Sequence, residues 1–127
     1  MTEARKKSLE LIARMLPTDL SKGFHKTDEK ELGDHLGELA MTGVFDQIWT
    51  RDEIDLRTRS LVTVGMLIAL RANSELMIHF PAAIRNGATL TDIEEVIYQA
   101  AGYVGFPAAT NAREVARQSL KAAGMLD

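Results

Sequence analysis

"LRTRSLVTVGMLIALRA", residues 56–72, is the stretch on which the fold turns. It is polar at its start and apolar almost all round from Leu61 to Leu70. Valine and threonine favour strands, so a buried strand competes with a buried helix here. Length decides for the helix, because a buried strand rarely exceeds about eight residues. A helix that is apolar on every side must be covered on every side. A chain of 127 residues has little material left for that. The segment therefore predicts an all-α subunit that associates with further copies of itself.

Downstream, "SELMIHFPAAIRNG" (74–87) reads as the next helix. Ser74 is its expected cap, and Gly87 closes it where a left-handed residue is favoured. Pro81 lies inside; it lacks an N–H and crowds the carbonyl four residues back, which predicts a kink. Thr91 with Glu94 has capping-box spacing for the helix "DIEEVIYQAAGYV" (92–104). Gly105 breaks that helix, Pro107 suits the first turn of the last one, and Gly124 follows its expected end near Ala123. Upstream, residues 2–15 carry Leu9, Ile12, Ala13 and Leu16 on one stripe, with Pro17 as the stop. Residues 18–26 read as a loop. Asp28 with Glu31 resembles a capping box for a helix bearing Leu32, Leu36 and Leu39 that ends near Gly43. "FDQIWTRDEID" (45–55) reads as irregular or briefly helical, with Thr50 and Glu53 at capping-box spacing. The sum is a succession of helices, no convincing strand, and one all-α domain over residues 1–127.

Composition narrows the function. Apolar residues make up 46% and charged residues 26%, as in ordinary globular proteins. A net charge of −3 argues against nucleic acid and anionic membranes, since both call for a basic field. An anionic small molecule would have to be drawn in by local arginines. The absence of cysteine removes disulfides, thiolate nucleophiles and zinc–thiolate sites. "MTEARKKSLELIARML" has no signal-peptide character, and the longest apolar run falls far short of the roughly 18 residues a spanning helix needs. A cytoplasmic protein is the default expectation.

Glu75 and His79 are the leading candidates for chemistry. Four residues apart on a helix, they emerge on one face, where a carboxylate can orient an imidazole and favour its protonated form. The commoner outcome of such spacing is a solvated surface pair. Met77, Ile78 and Phe80 make the helix apolar around His79 and weigh against full solvation. Arg51, Arg57 and Arg59 cluster just after Trp49 and could clamp carboxylates. Equally, they could be solvated charges paired with Asp52, Glu53 and Asp55. His25 and His35 have no partner at metal spacing and read as structural or exposed. One Glu and one His are too few for a metal site. No phosphate-binding glycine loop or hydrolase elbow occurs. Tyr98 and Tyr103 read as packing residues.

"IWTRDEIDLRTRSLVTVGMLIAL" followed by "SELMIHFPAAIRNGATLTDIEEVIYQAAGYVGFPAA" closely resembles the 4-carboxymuconolactone decarboxylases of aromatic catabolism. The similarity covers roughly residues 44–120 and rests on three blocks in order: W-x-R…L-x-x-R-x-R-S-L, E-L-x-x-H-x-x-x-A-x-x-N-G and Y-x-G-x-P-A-A. The wider superfamily includes alkylhydroperoxidase-like proteins with a redox CxxC on this helix. Here Glu75 and Ile78 stand at those cysteine positions, and His79 stands for the histidine after them, so an acid–base pair replaces the redox pair. Three positions depart from the family pattern. Asp46 replaces a Gly ahead of the Ile–Trp pair, Met77 a frequent Arg, and Pro81 a non-proline residue.

The resemblance implies an all-α subunit in a homo-oligomer, commonly a hexamer. It also implies decarboxylation of an anionic lactone, 4-carboxymuconolactone, to 3-oxoadipate enol-lactone and CO2 in protocatechuate catabolism, with no cofactor and no metal. His79 would be proton donor or oxyanion partner, oriented by Glu75, with Arg51, Arg59 and Trp49 holding substrate. Two alternatives stay open: an acid–base isomerase or cyclase on the same scaffold, and a catalytically silent oligomeric binding protein.

Overall fold

The computed structural model describes residues 1–17 and 30–127. All the regular secondary structure among the described residues is helical, with no strand among them, in keeping with the reading of the 56–72 segment. The expected loop at 18–26, the cap at Asp28 and His25 lie outside the described residues. The chain divides into two compact units, Met1–Ile54 and Asp55–Asp127.

In the first unit, α1 (Glu3–Met15) starts where the Thr2 side chain accepts the Arg5 N–H, and ends at Leu16. Its buried side is Ser8, Leu11, Ile12 and Met15. Ala13 faces solvent, so the stripe is turned from the expected one. Helix α2 (Leu36–Ala40) runs directly into a π-helical segment, Met41–Trp49. The helical path therefore does not end near Gly43, and residues 45–49 are not irregular. Such wide turns are rare over this length, and side-chain bonds reinforce this one. Arg5 Nε donates to both oxygens of Asp46, at 3.1 and 2.9 Å. Ser8 Oγ donates to Asp46 at 2.6 Å. Thr50 Oγ1 turns back to the Asp46 carbonyl at 2.8 Å, and so caps no helix. Met41, Phe45 and Trp49 are the buried side of the segment, which packs on α1.

The second unit holds four helices: α3 (Leu56–Leu70), α4 (Asn73–Arg85), α5 (Leu90–Val104) and α6 (Phe106–Ala122). Asp55 caps α3 by accepting the Thr58 N–H at 2.7 Å. Helix α3 contacts each of the other three. Its buried line, Val64 and Ile68, meets Leu76, Phe80 and Ala83 of α4, Ile93 and Ile97 of α5, and Ala108, Ala112 and Val115 of α6. Alanines along α6 have no bulk to hold the helices apart. The other side of α3 is apolar, and Val62, Met66 and Leu70 on it are all exposed.

Two expected boundaries moved. A two-residue corner, with Arg71 left-handed at φ 51°, starts α4 at Asn73, before Ser74. Asn73 and Asn111 exchange reciprocal amide hydrogen bonds of 3.1 and 2.7 Å, tying that start to α6. Thr89 and Asp92 form the capping box of α5, not Thr91 and Glu94. Pro81 sits within α4, buried, and the helix continues through it to Arg85. Gly87 (φ 104°), Gly105 (φ 98°) and Gly124 (φ 72°) have the positive φ their positions called for.

Candidate active site

Helix α4 sends Leu76, Phe80 and Ala83 into the core, each fully buried. That fixes its rotation and leaves Glu75 and His79 together on a neighbouring face. His79 Nε2 lies 3.9 Å from Glu75 Oε2. This is an electrostatic distance, too long for a hydrogen bond. The two side chains differ sharply in access: His79 is 13% exposed and Glu75 57%. Glu75 also lies in the first turn of α4, where the helix dipole favours a carboxylate.

Burial decides the charge of His79. Desolvation holds its pKa below the ordinary 6.5, and the Glu75 carboxylate opposes this without overcoming it. The spacing alone led to the opposite expectation, a raised pKa, because sequence shows the carboxylate but not the loss of water around the ring. The arrangement is a largely neutral imidazole at depth, with a solvated carboxylate one helical turn away at the surface.

The arginines separate. Arg57 grips Asp92 through two hydrogen bonds of 2.9 and 2.5 Å. Together with the Thr89 backbone, Arg57 draws the Asp92 pKa down to about 2. Arg57 is thus a structural clamp between α3 and α5: its hydrogen-bonding partner is Asp92, and the nearby Asp55 carboxylate adds only a weaker charge interaction. Asp52 pairs with Lys7 at 2.9 Å, while Asp55 is a helix cap. Arg59 is half-buried on the first turn of α3, in the same unit as Glu75 and His79. Trp49 and Arg51 belong to the first unit. The Trp49 ring is 5% exposed and stacks on Phe45 at 6.3 Å between centroids. Arg51 is exposed and donates its backbone N–H to the Ile48 carbonyl.

Other candidates resolve simply. Tyr98 and Tyr103 are 59% and 83% exposed, so they are not packed within the chain. His35 is exposed. No cluster of metal-ligating side chains occurs among the described residues. Asp46 is explained by its bonds to Arg5 and Ser8 in the first unit. Met77 and Pro81 each lie two residues from His79, about 160° away around the helix. They do not share its face.

A second polar pair, besides Asn73–Asn111, has no signature in the sequence. Asn86, at the end of α4, donates through Nδ2 to Ser60 Oγ of α3 at 2.9 Å. In the sequence Asn86 stands only as the residue before the closing Gly87. A groove of about 540 Å³ between α3 and α5 is lined by Leu61, Val62, Gly65, Val96, Ala100 and Tyr103, among others. It is apolar, and neither Glu75 nor His79 borders it.

With this helical unit and its Glu–His face in view, comparison with known proteins places the chain. A model of the carboxymuconolactone decarboxylase family matches residues 35–118. The chain belongs to that family. A 4-carboxymuconolactone decarboxylase of Acinetobacter baylyi is 35% identical over 79 residues, which cover 62% of this chain and 59% of that protein. A nitrosuccinic acid decarboxylase of Metarhizium robertsii is 35% identical over 83 residues, covering 65% and 58%. An uncharacterised 15.0 kDa protein of Paracoccus denitrificans is 32% identical over 75 residues, covering 58% and 56%. The chain thus spans just under three-fifths of each of these relatives.

Proposed function

We propose that this protein is a carboxy-lyase that decarboxylates 4-carboxymuconolactone to 3-oxoadipate enol-lactone without a cofactor, in aromatic catabolism. The observation that carries the reading is the mostly buried His79 beside the solvated Glu75, on a helix of a carboxymuconolactone decarboxylase-family chain.

The chemistry suits so small a set of groups. The departing carboxylate sits on the γ-carbon of an α,β-unsaturated lactone. When its C–C bond breaks, CO2 leaves and the electron pair moves through the double bond onto the lactone carbonyl oxygen as a dienolate. A proton delivered to the α-carbon completes the enol-lactone. His79 is the proton donor. Its imidazole is largely neutral in the free protein, and the anionic substrate favours the charged form once bound. Glu75, at the solvent side, supports that charge. Arg59, in the same unit as His79, holds a substrate carboxylate.

Purified protein mixed with 4-carboxymuconolactone should release CO2 as the lactone's ultraviolet absorbance falls. His79→Asn should lower kcat by about 10²–10⁴-fold, the usual contribution of a positioned acid, with the melting temperature little changed. Wild-type turnover by His79→Asn would remove His79 from the reaction. A second reading has the Metarhizium robertsii relative behind it: decarboxylation of nitrosuccinic acid, where a nitro group takes up the electron pair. The same assay with nitrosuccinate separates the two.

A further inference from the structure

Arg59 sits in a turn of α3 held by four sets of side-chain hydrogen bonds. Asp55 caps that turn through the Thr58 N–H. Arg57 is clamped to Asp92 at the start of α5. Thr63 Oγ1 donates to the Arg59 carbonyl itself at 2.8 Å. Ser60, next in the chain and 1% exposed, receives the Asn86 amide from the end of α4. The last of these restraints reaches the helix that carries His79. Asn86 follows His79 by seven residues, close to two full turns, so the two share a face of α4 about 10 Å apart along the axis.

We propose that Asn86 is a positioning residue, acting through Ser60 to aim Arg59 at a substrate carboxylate while His79 serves the reacting carbon on the same face of α4. The inference rests on the decarboxylase reading above. The Asn86–Ser60 bond fixes how the first turn of α3 is rotated relative to α4, and that rotation sets the direction of the Arg59 side chain. Stability is a poor reason for this amide. Its Oδ1 is buried and meets no donor among the described residues, and a buried acceptor left in that state offsets what the Nδ2 bond contributes. The bond's use lies in its direction.

Steady-state kinetics with 4-carboxymuconolactone test this. Ser60→Ala and Asn86→Leu should each raise KM about tenfold, as a small misplacement of a binding group does, with kcat within about twofold of wild type. Arg59→Lys should raise KM by itself, and adding Ser60→Ala to it should cost nothing more, since both act through one guanidinium. A merely structural pair would lower the melting temperature and leave KM alone, or act additively with Arg59→Lys; either result overturns the inference. Absence of lactone turnover by wild type would overturn the decarboxylase reading separately. Calorimetric affinities for the lactone then decide the positioning role: weaker binding by Ser60→Ala supports it. Equal binding, or none by wild type, ends it.

Discussion

At His79 two effects of opposite sign compete, and burial wins over the neighbouring carboxylate. The consequence is a pH profile. If the charged imidazole donates the proton, kcat/KM reports the free protein and should fall as pH rises through a midpoint below 6.5. The kcat midpoint should lie higher, because bound substrate adds negative charge beside the ring. Glu75→Gln removes the opposing charge and should move the kcat/KM midpoint lower still. Coincident midpoints in kcat and kcat/KM would show that substrate leaves His79 unperturbed. Folding stability carries the same signature. A histidine with a depressed folded pKa costs nothing above its unfolded value, and stability is lost as pH falls below about 6.5 toward the folded pKa. The i,i+4 pairing could be read from sequence; the sign of the shift could not.

At the scale of elements, the start of α5 shows what a local motif leaves open. Thr89–Asp92 and Thr91–Glu94 both have capping-box spacing, two residues apart. The protein uses the first, where Asp92 accepts the Thr89 N–H and also binds Arg57 of α3. Glu94 at the alternative register is exposed. We expect Thr89→Ala to lower stability by about 1 kcal/mol in denaturant unfolding, the typical worth of an N-cap, and Thr91→Ala to change it far less. The reverse order would restore the register expected from sequence. The same logic governs α4. It starts two residues earlier than a Ser74 cap would place it, because the α3–α4 corner and the Asn73–Asn111 pair set it, and neither is a local signal.

For the whole molecule, the apolar side of α3 is the open question. Val62, Met66 and Leu70 recur every four residues and remain 47%, 62% and 75% exposed. Tyr103 and Phe106 are exposed in the same unit. Neighbouring apolar groups in water drive association, and we propose a homo-oligomer, a hexamer by family resemblance, that covers this side of α3. Light scattering should give a mass several times the 14.0 kDa of one chain. Met66→Glu should reduce that mass while the core, to which Met66 does not contribute, stays folded. A monomer at micromolar concentration would leave the exposed stripe without its cover.

Sequence alone determined the helical class, the order of the C-terminal helices, the glycines that end them and the placing of Glu75 beside His79. Each follows from periodicity, backbone sterics or fixed helical spacing, which act within a few residues. Tertiary structure alone decided the protonation of His79, the capping register of α5, the commitment of Arg57 to Asp92 and the bond from Asn86 to Ser60. It also decided that residues 41–49 form a π-helix, held by Arg5 and Ser8 from α1. These outcomes depend on which groups lose water and which distant side chains meet. Both are properties of packing, set only once the helices have docked.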